Sequence, residues 1–472
     1  MSQPFSPELN LNIHPKLPRR KDWRIGCAGA GFIVADCHLV AYRNAGFNPV
    51  AIASRTLDTA QKVATRHAIP KVHETIDDLL ADPHIEILDV AVPPQQQPEV
   101  IRKAAKLGRG RLRGILAQKP LALSVAEARE LLKCCDEAGI VLAVNQNMRF
   151  DQSVKAAKDV LNRGWLGDPV LATIDMRAVP HWMPWAEGMA SLSTFIMSIH
   201  HLDTFRYWLG TPDRVLASTR PDPRTKFPHT DGINLYILEY ENGARASSWD
   251  DVWSGPCKEG IAGDIGIRWR IEGTDGLMQG TIGWPKYPAR EPSTLDFSTR
   301  KQPGMWFRPR WNEVWFPDAF VGTMAQLLVA LESGTEPEIS GRDNLETVAL
   351  CEAVFAAATQ HRVTTVREFL GERAACAGVP TPTPAASAGR SPKDNDNASS
   401  RSSHPASHRD CRRSWSEGRR QQLRVRHGRG RADCHAVRLT PSRGAVPTGS
   451  LRVSLWKTAH CGGARRGPTR FR

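Results

Sequence analysis

Between Trp23 and Val144 short apolar runs alternate with segments of helical period, and the first run breaks into Gly29-Ala30-Gly31. No other feature constrains the fold as strongly: strands separated by helices pair through crossovers, which makes their sheet parallel and covers both of its faces. The spacing predicts strands at 24–28, 49–53, 87–92, 114–117 and 140–144, with helices at 36–45, 57–67, 76–80, 98–107 and 124–138. Ser124, with Glu127 three residues on, has the spacing of a capping box. Five strands with intervening helices over about 125 residues amount to a Rossmann-type nucleotide domain.

Beyond Asn147 the texture changes. A helix at 154–163 precedes six segments (170–177, 214–219, 233–239, 244–249, 267–272 and 277–281), many of them alternating apolar with polar residues between turn signals such as Glu241-Asn242-Gly243. This pattern predicts a large, mainly antiparallel open sheet with one buried face, closed by helices at 319–333 and 344–360. After Arg373 come Pro-Thr repeats, Ser-rich runs and scattered Arg with no sustained period, the composition of a disordered segment. The same texture is that of an out-of-frame translation of a GC-rich gene. The chain is therefore read as an extension (1–21), a nucleotide domain (22–147), a second α/β domain (148–374) and a disordered Arg-rich tail (375–472).

The net charge of the 472 residues is +14, but it is unevenly placed. Residues 375–472 hold 20 basic and 5 acidic residues, leaving 43 basic and 44 acidic residues in the first 374. A near-neutral body is not a nucleic-acid binder, and the tail lacks the interleaved aromatics of a single-strand binder, so no specific nucleic acid is expected as a partner. Ten cysteines without a Cys-x-x-Cys pair or dense spacing point to a reducing, cytoplasmic setting. No apolar run reaches eighteen residues, so no membrane partner is expected.

Gly29-Ala30-Gly31-Phe32-Ile33-Val34 falls where a first strand turns into a first helix. Glycines there let a pyrophosphate approach the backbone, and the helix N-terminus offers N–H groups to the anion. Val34 stands where a third small residue usually permits close helix packing. An acid ending the second strand would bind a ribose 2′-hydroxyl; this chain has Ser54-Arg55. Arg55 would hold a 2′-phosphate, which favours NADP over NAD; alternatively it stacks on the adenine and accepts either.

Four motifs coincide: Gly29-x-Gly31, Val92-Pro93-Pro94, Gln118-Lys119-Pro120 and His200-His201-Leu202-Asp203. In order and spacing they resemble the Gfo/Idh/MocA family, named for glucose-fructose oxidoreductase and inositol dehydrogenase, over about residues 22–370. The resemblance implies NAD(P)-dependent oxidation or reduction of a sugar or cyclitol-like polyol. It also implies a second domain that binds substrate and builds a homo-oligomer, a dimer or tetramer, with no metal. It places Gly29, Gly31, Phe32, Ile33, Ser54, Arg55, Pro93, Pro94, Gln97, Gln118 and Lys119 at the cofactor. It makes Lys119 and His200 catalytic and places both at the substrate; Asn147, at the domain junction, binds substrate oxygens or braces the seam, and Trp182 is a candidate to stack on the substrate. A cation beside the reacting oxygen stabilises a developing alkoxide, and imidazole titrates near neutrality. Asp203 either orients His200 or pairs with Arg206; Arg149 binds substrate or, as favoured here, braces the domain junction.

Three positions depart from the family pattern. Ile196 replaces an aspartate one helical turn before the histidine, Gln118 replaces a glutamate, and Gln97 stands where a histidine often follows the two prolines. Ile196 keeps a rival reading open, a dinucleotide- or sugar-sensing protein that has lost turnover. Fourteen Trp against five Tyr, ten of those Trp between 182 and 315, suit stacking on a sugar face, or else fill the sheet core or a subunit interface.

Overall fold

The computed structural model describes residues 9–177, 184–224, 227–251 and 265–371. The expected disordered tail lies outside them, as do His181, Trp182, Trp253 and Lys258.

Strands β1 (Arg24–Ala28), β2 (Asn48–Ala53), β3 (Lys71–Val72), β4 (Ile87–Val90), β5 (Gly114–Gln118) and β6 (Val141–Asn145) form one sheet in the order β3-β2-β1-β4-β5-β6. Every pairing in it is parallel. The five expected strands are thus six; β3 has two residues, too few to show a period. Helices α1 (Leu39–Ala45), α2 (Leu57–His67), α3 (Ile76–Ala81), α4 (Gln97–Gly108) and α5 (Val125–Ala138) are the crossovers. The order reverses between β1 and β4, and a crevice opens at the carboxyl ends of the strands there.

Local chemistry departs from expectation at two helix starts. α1 is entered through a widened i→i+5 turn, Ile33–His38, where a plain α-helix from residue 36 was expected. Ser124 Oγ accepts the Glu127 N–H (3.2 Å), but the Glu127 carboxylate turns to Arg102, so only half of the expected capping box forms. The complete box is at α3, where Thr75 and Asp78 cap each other.

The second sheet has the order β13-β12-β11-β7-β10-β9-β8. Its strands are β7 (Pro169–Arg177), β8 (Arg214–Arg220), β9 (Ile233–Glu239), β10 (Arg245–Asp251), β11 (Gly266–Gly273), β12 (Gly276–Ile282) and β13 (Thr294–Thr299). Only β7 and β10 pair in parallel. In β9 Asn234, Tyr236 and Leu238 are buried, while Leu235 and Ile237 face out, so one face packs and the other stays open. Helices α6 (Gln152–Asn162), α7 (Ile199–Leu209), α8 (Phe320–Ser333), α9 (Gly341–Gln360) and α10 (Val366–Leu370) complete the fold. The last helices return to the first sheet: Val144 N–H donates to Ile339 O (2.8 Å). Gly322 lets α8 approach closely, since a Cβ there would sit 2.2 Å from the Phe150 ring.

Candidate active site

A cavity of about 490 Å³ lies at the switch point of the first sheet and extends to the second domain. At one end Gly29, at φ +123°, crosses over β4, and a Cβ on it would meet the Ala91 carbonyl oxygen at 2.3 Å. A Cβ on Gly31 would meet nothing within 4 Å. The backbone here is forced close to the neighbouring strand on one side and bare on the other, which suits a pyrophosphate resting on Gly31, Phe32 and Ile33. Ser54 and Arg55 form the rim beyond β2, joined by Thr56 and Thr59. Pro93, Pro94 and Gln118 also line the space. The residues present therefore fit a nicotinamide dinucleotide.

Gln97 does not line the cavity; Gln96 does. The Gln97 carboxamide is buried and donates to the carbonyl oxygens of Gln118 (2.6 Å) and Pro120 (2.8 Å), bracing the turn that carries Lys119. Its sequence neighbours gave no sign of this, because α4 begins at Gln97 itself and its first residue points into the fold.

The opposite end carries Lys119, Asn147, Ile196, Met197 and His200, walled by Trp185, Trp284, Trp315 and Phe316. The Lys119–Pro120 peptide is cis. Lys119 Nζ donates to the main-chain carbonyl of Ile196 at 2.6 Å. Burial, only partly offset by the Cys351 thiol, brings the amine from its usual 10.5 down to about 7. His200 is buried with its ring edge-to-face on Trp315 (5.3 Å between centroids), and its Nδ1 has no partner among the described residues. Burial, Lys119 and His201 together hold its pKa well below the ordinary value, so the ring is neutral at physiological pH. Asn147 accepts from Trp315 Nε1 (2.9 Å) and donates to the Asn145 main-chain carbonyl (3.2 Å) and to Asn145 Oδ1 (3.3 Å), which leaves a lone pair on its own Oδ1 for a ligand.

Of its two expected partners Asp203 keeps Arg206, at the outer limit of an ion pair. It takes Arg149 in a two-pronged pair (2.6 and 2.7 Å) and the Thr347 hydroxyl, while Arg206 reaches it only at 3.9 Å and turns to Asp343 and Glu346. Arg149 also binds Asp343 and the Glu338 carbonyl, so it braces the turn after β6 against α7 and α9, within the second domain. Of the tryptophans between 182 and 315, Trp185, Trp284 and Trp315 reach the cavity; Trp249 lies on the open face of the second sheet, Trp306 is exposed elsewhere, and Trp311 packs against the core.

Two buried groups escaped the sequence. His38 Nδ1 lies 2.8 Å from Asp89 Oδ2, which also accepts from Tyr42, and His38 Nε2 faces the Asn145 amide at 2.9 Å. Asp231 accepts three backbone N–H groups from 192–194, just before the Ser193–Ser198 turn. Neither lies in a motif of fixed spacing.

Residues 23–146 match a family model described as an oxidoreductase family with an NAD-binding Rossmann fold, and residues 154–279 match the GFO/IDH/MocA C-terminal domain. A D-apiose dehydrogenase of Paraburkholderia graminis is 24% identical over 361 residues, 76% of this chain and 92% of that protein. A 1,5-anhydro-D-fructose reductase of Ensifer adhaerens is 26% identical over 267 residues, 54% of this chain and 75% of that protein. An oxidoreductase from Agrobacterium radiobacter, solved with NAD+, L-tartaric acid and magnesium, shares the fold with a TM-score of 0.63 at 22% identity. It covers 74% of this chain and 99% of its own.

Proposed function

Because the chain belongs to the Gfo/Idh/MocA oxidoreductase family, we propose that it moves hydride between NAD(P) and a secondary hydroxyl of a sugar or cyclitol-like polyol. The observation that carries this reading is the convergence of the Lys119 amine and the His200 ring on one end of a cavity whose other end is the bare Gly31 turn. The names of its relatives, a D-apiose dehydrogenase and a 1,5-anhydro-D-fructose reductase, support the substrate class.

A bound nicotinamide supplies the hydride acceptor, or the donor in reverse. The chain's residues handle the proton and the fit. The Nζ lone pair of Lys119 takes the hydroxyl proton as the C–O bond becomes C=O, and returns it for reduction. His200, neutral and lining the cavity, holds the same oxygen. Asn147 offers its remaining amide capacity to a neighbouring hydroxyl, and the indoles of Trp185 and Trp284 cover the C–H face and exclude water. Ser54 and Arg55, with Thr56 and Thr59 beside them, favour the 2′-phosphate of NADP.

A cytoplasmic setting agrees with Cys27, Cys37, Cys134, Cys135 and Cys351 all being unpaired. No helix among the described residues is long and apolar enough to cross a membrane. Absorbance at 340 nm, followed with both dinucleotides against pentoses, anhydrosugars and inositols, tests the reading. Turnover that disappears in Lys119→Ala supports it; tight dinucleotide binding with no turnover on any substrate hands the chain to the sensor reading.

A further inference from the structure

Among the described residues Lys119 has no carboxylate to lean on. Its amine donates into the backbone of the segment that leads into α7, at Ile196 O, and that segment is a widened i→i+5 turn, Ser193–Ser198. Such turns interrupt the ordinary i→i+4 ladder and recur at functional sites. Here the interruption is where the amine enters.

The turn is gripped from behind by groups that do not line the cavity. Asp231, fully buried in the loop before β9, accepts the N–H groups of Leu192 (2.6 Å), Ser193 (3.1 Å) and Thr194 (2.8 Å). Asn234 donates to the hydroxyls of Thr194 and Ser198 (3.2 Å each), and the Ser198 hydroxyl donates to Asp250. We propose that Asp231 is a positioning residue for Lys119: it caps the turn that presents the Ile196 carbonyl to the amine, and so keeps that amine oriented and shielded as the group that exchanges the substrate's hydroxyl proton. The inference rests on the oxidoreductase reading above and adds a residue outside the cavity to it.

The choice of a carbonyl as acceptor has a chemical consequence. It orients an amine without a net charge, whereas a carboxylate at the same distance favours the ammonium form and raises its pKa by about 1 to 3 units. Among the described residues, the titratable groups that face the amine are His200 from α7 and Cys351 from α9. Burial holds the first neutral by lowering its pKa, and it raises that of the second, which offsets only part of the cost of burying the amine. If the turn loosens, the amine loses its acceptor and gains water, and its proton affinity moves back toward that of a free lysine.

Competitive acetylation of the full-length protein at a series of pH values, read by mass spectrometry of the Lys119 peptide, follows this amine with neither substrate nor dinucleotide present. It can therefore fail while turnover at 340 nm stands, or succeed where turnover is absent. The wild type is expected to reach half-maximal reactivity near neutral pH. Asp231→Asn, which loses an acceptor for the turn but keeps the side-chain volume, is expected to move that midpoint up by about one unit or more. The ascending limb of kcat should move with it, and NADPH affinity should stay within about twofold. Should Asp231→Asn not fold, Ser198→Ala loosens the same turn through one hydroxyl and is read in the same way. A wild-type midpoint near that of the exposed lysines overturns the proposal, as does a folded variant whose midpoint does not move.

Discussion

A lysine amine with a pKa near 7 changes charge in the range where a dehydrogenase must both take and return a proton, and the structure builds this from burial rather than from a neighbouring cation. Oxidation needs the unprotonated amine, so kcat/KM in that direction should rise through about pH 7 and level off above it. The same shift acts on stability. The unfolded lysine binds its proton up to about 10.5 and the folded one only to about 7, so between those values the unfolded chain holds more protons and stability rises with pH. Below pH 7 both states are charged and the full burial cost remains, at most about 5 kcal/mol and less where cavity water screens the amine. Lys119→Met should therefore abolish turnover while raising Tm, with the gain largest below pH 7 and fading toward pH 10; calorimetry at three pH values checks it. At the rim, Arg55→Ala should weaken NADPH by roughly ten- to a hundredfold while leaving NADH nearly unchanged. Equal losses for both would show that Arg55 stacks on the adenine instead. The positions of Lys119, His200 and Arg55 were legible because each follows a strand end or motif of known spacing. Gln97, His38 and Asp231 were not: their roles depend on partners 21 to 107 residues away in the chain, which no local pattern records.

At the scale of elements, the parts with strong periods were read within a few residues, α2 and β9 among them. Those missed carry weak or competing signals. β13 does alternate, with Leu295, Phe297 and Thr299 inward, but it stands between Pro292 and the Gln302-Pro303-Gly304 turn and offers only six residues. The two widened turns entering α1 and α7 have no compositional signature at all; they exist because tertiary partners hold them. A buried charge cluster of the second domain shows the same dependence on distant partners. Arg149 from the short turn after β6, Asp203 from α7, and Asp343 from α9 meet in a buried cluster, joined by Arg206. Removing one member leaves an uncompensated buried charge, so Arg149→Met should cost about 3 to 5 kcal/mol in urea unfolding. Arg149→Met with Asp203→Leu should recover much of it, because replacing both halves of a buried ion pair by apolar groups is often close to neutral. A double variant no more stable than the single one would mean that Arg149 acts chiefly through Asp343 and Glu338.

The charge of the whole chain and the open face of its second sheet bear on the same question, what the molecule does with its surface. The excess of basic residues lies in 375–472, and the remainder is nearly balanced, so self-association of the body meets little net repulsion. On the outer face of the second sheet Val170, Leu171, Leu216, Leu235, Ile237 and Trp249 all stand more than a third exposed, contributed by four neighbouring strands, β7 to β10. The inner face of those strands is filled by the domain core, so these side chains are not waiting for a part of the described fold to cover them. The register sets Leu216 beside Ile237 and Leu235 beside Trp249 on this face; exposed apolar side chains so placed suit a subunit interface, and a sheet face can pair with its own copy about a twofold axis. Leu235 and Ile237 are the test positions, because they sit on β9 with polar Asn234 and apolar Tyr236 and Leu238 turned the other way, and a change outward leaves that inner packing intact. Leu235→Glu with Ile237→Glu places two negative charges on each copy, four across the pairing, and should reduce the sedimenting species to the 52.2 kDa single chain. NADPH affinity should be unchanged, since the glycine turn belongs to the other sheet. If the variant keeps the wild-type mass, the open face is not the interface, and if it loses cofactor affinity along with mass, the cavity depends on the neighbouring copy.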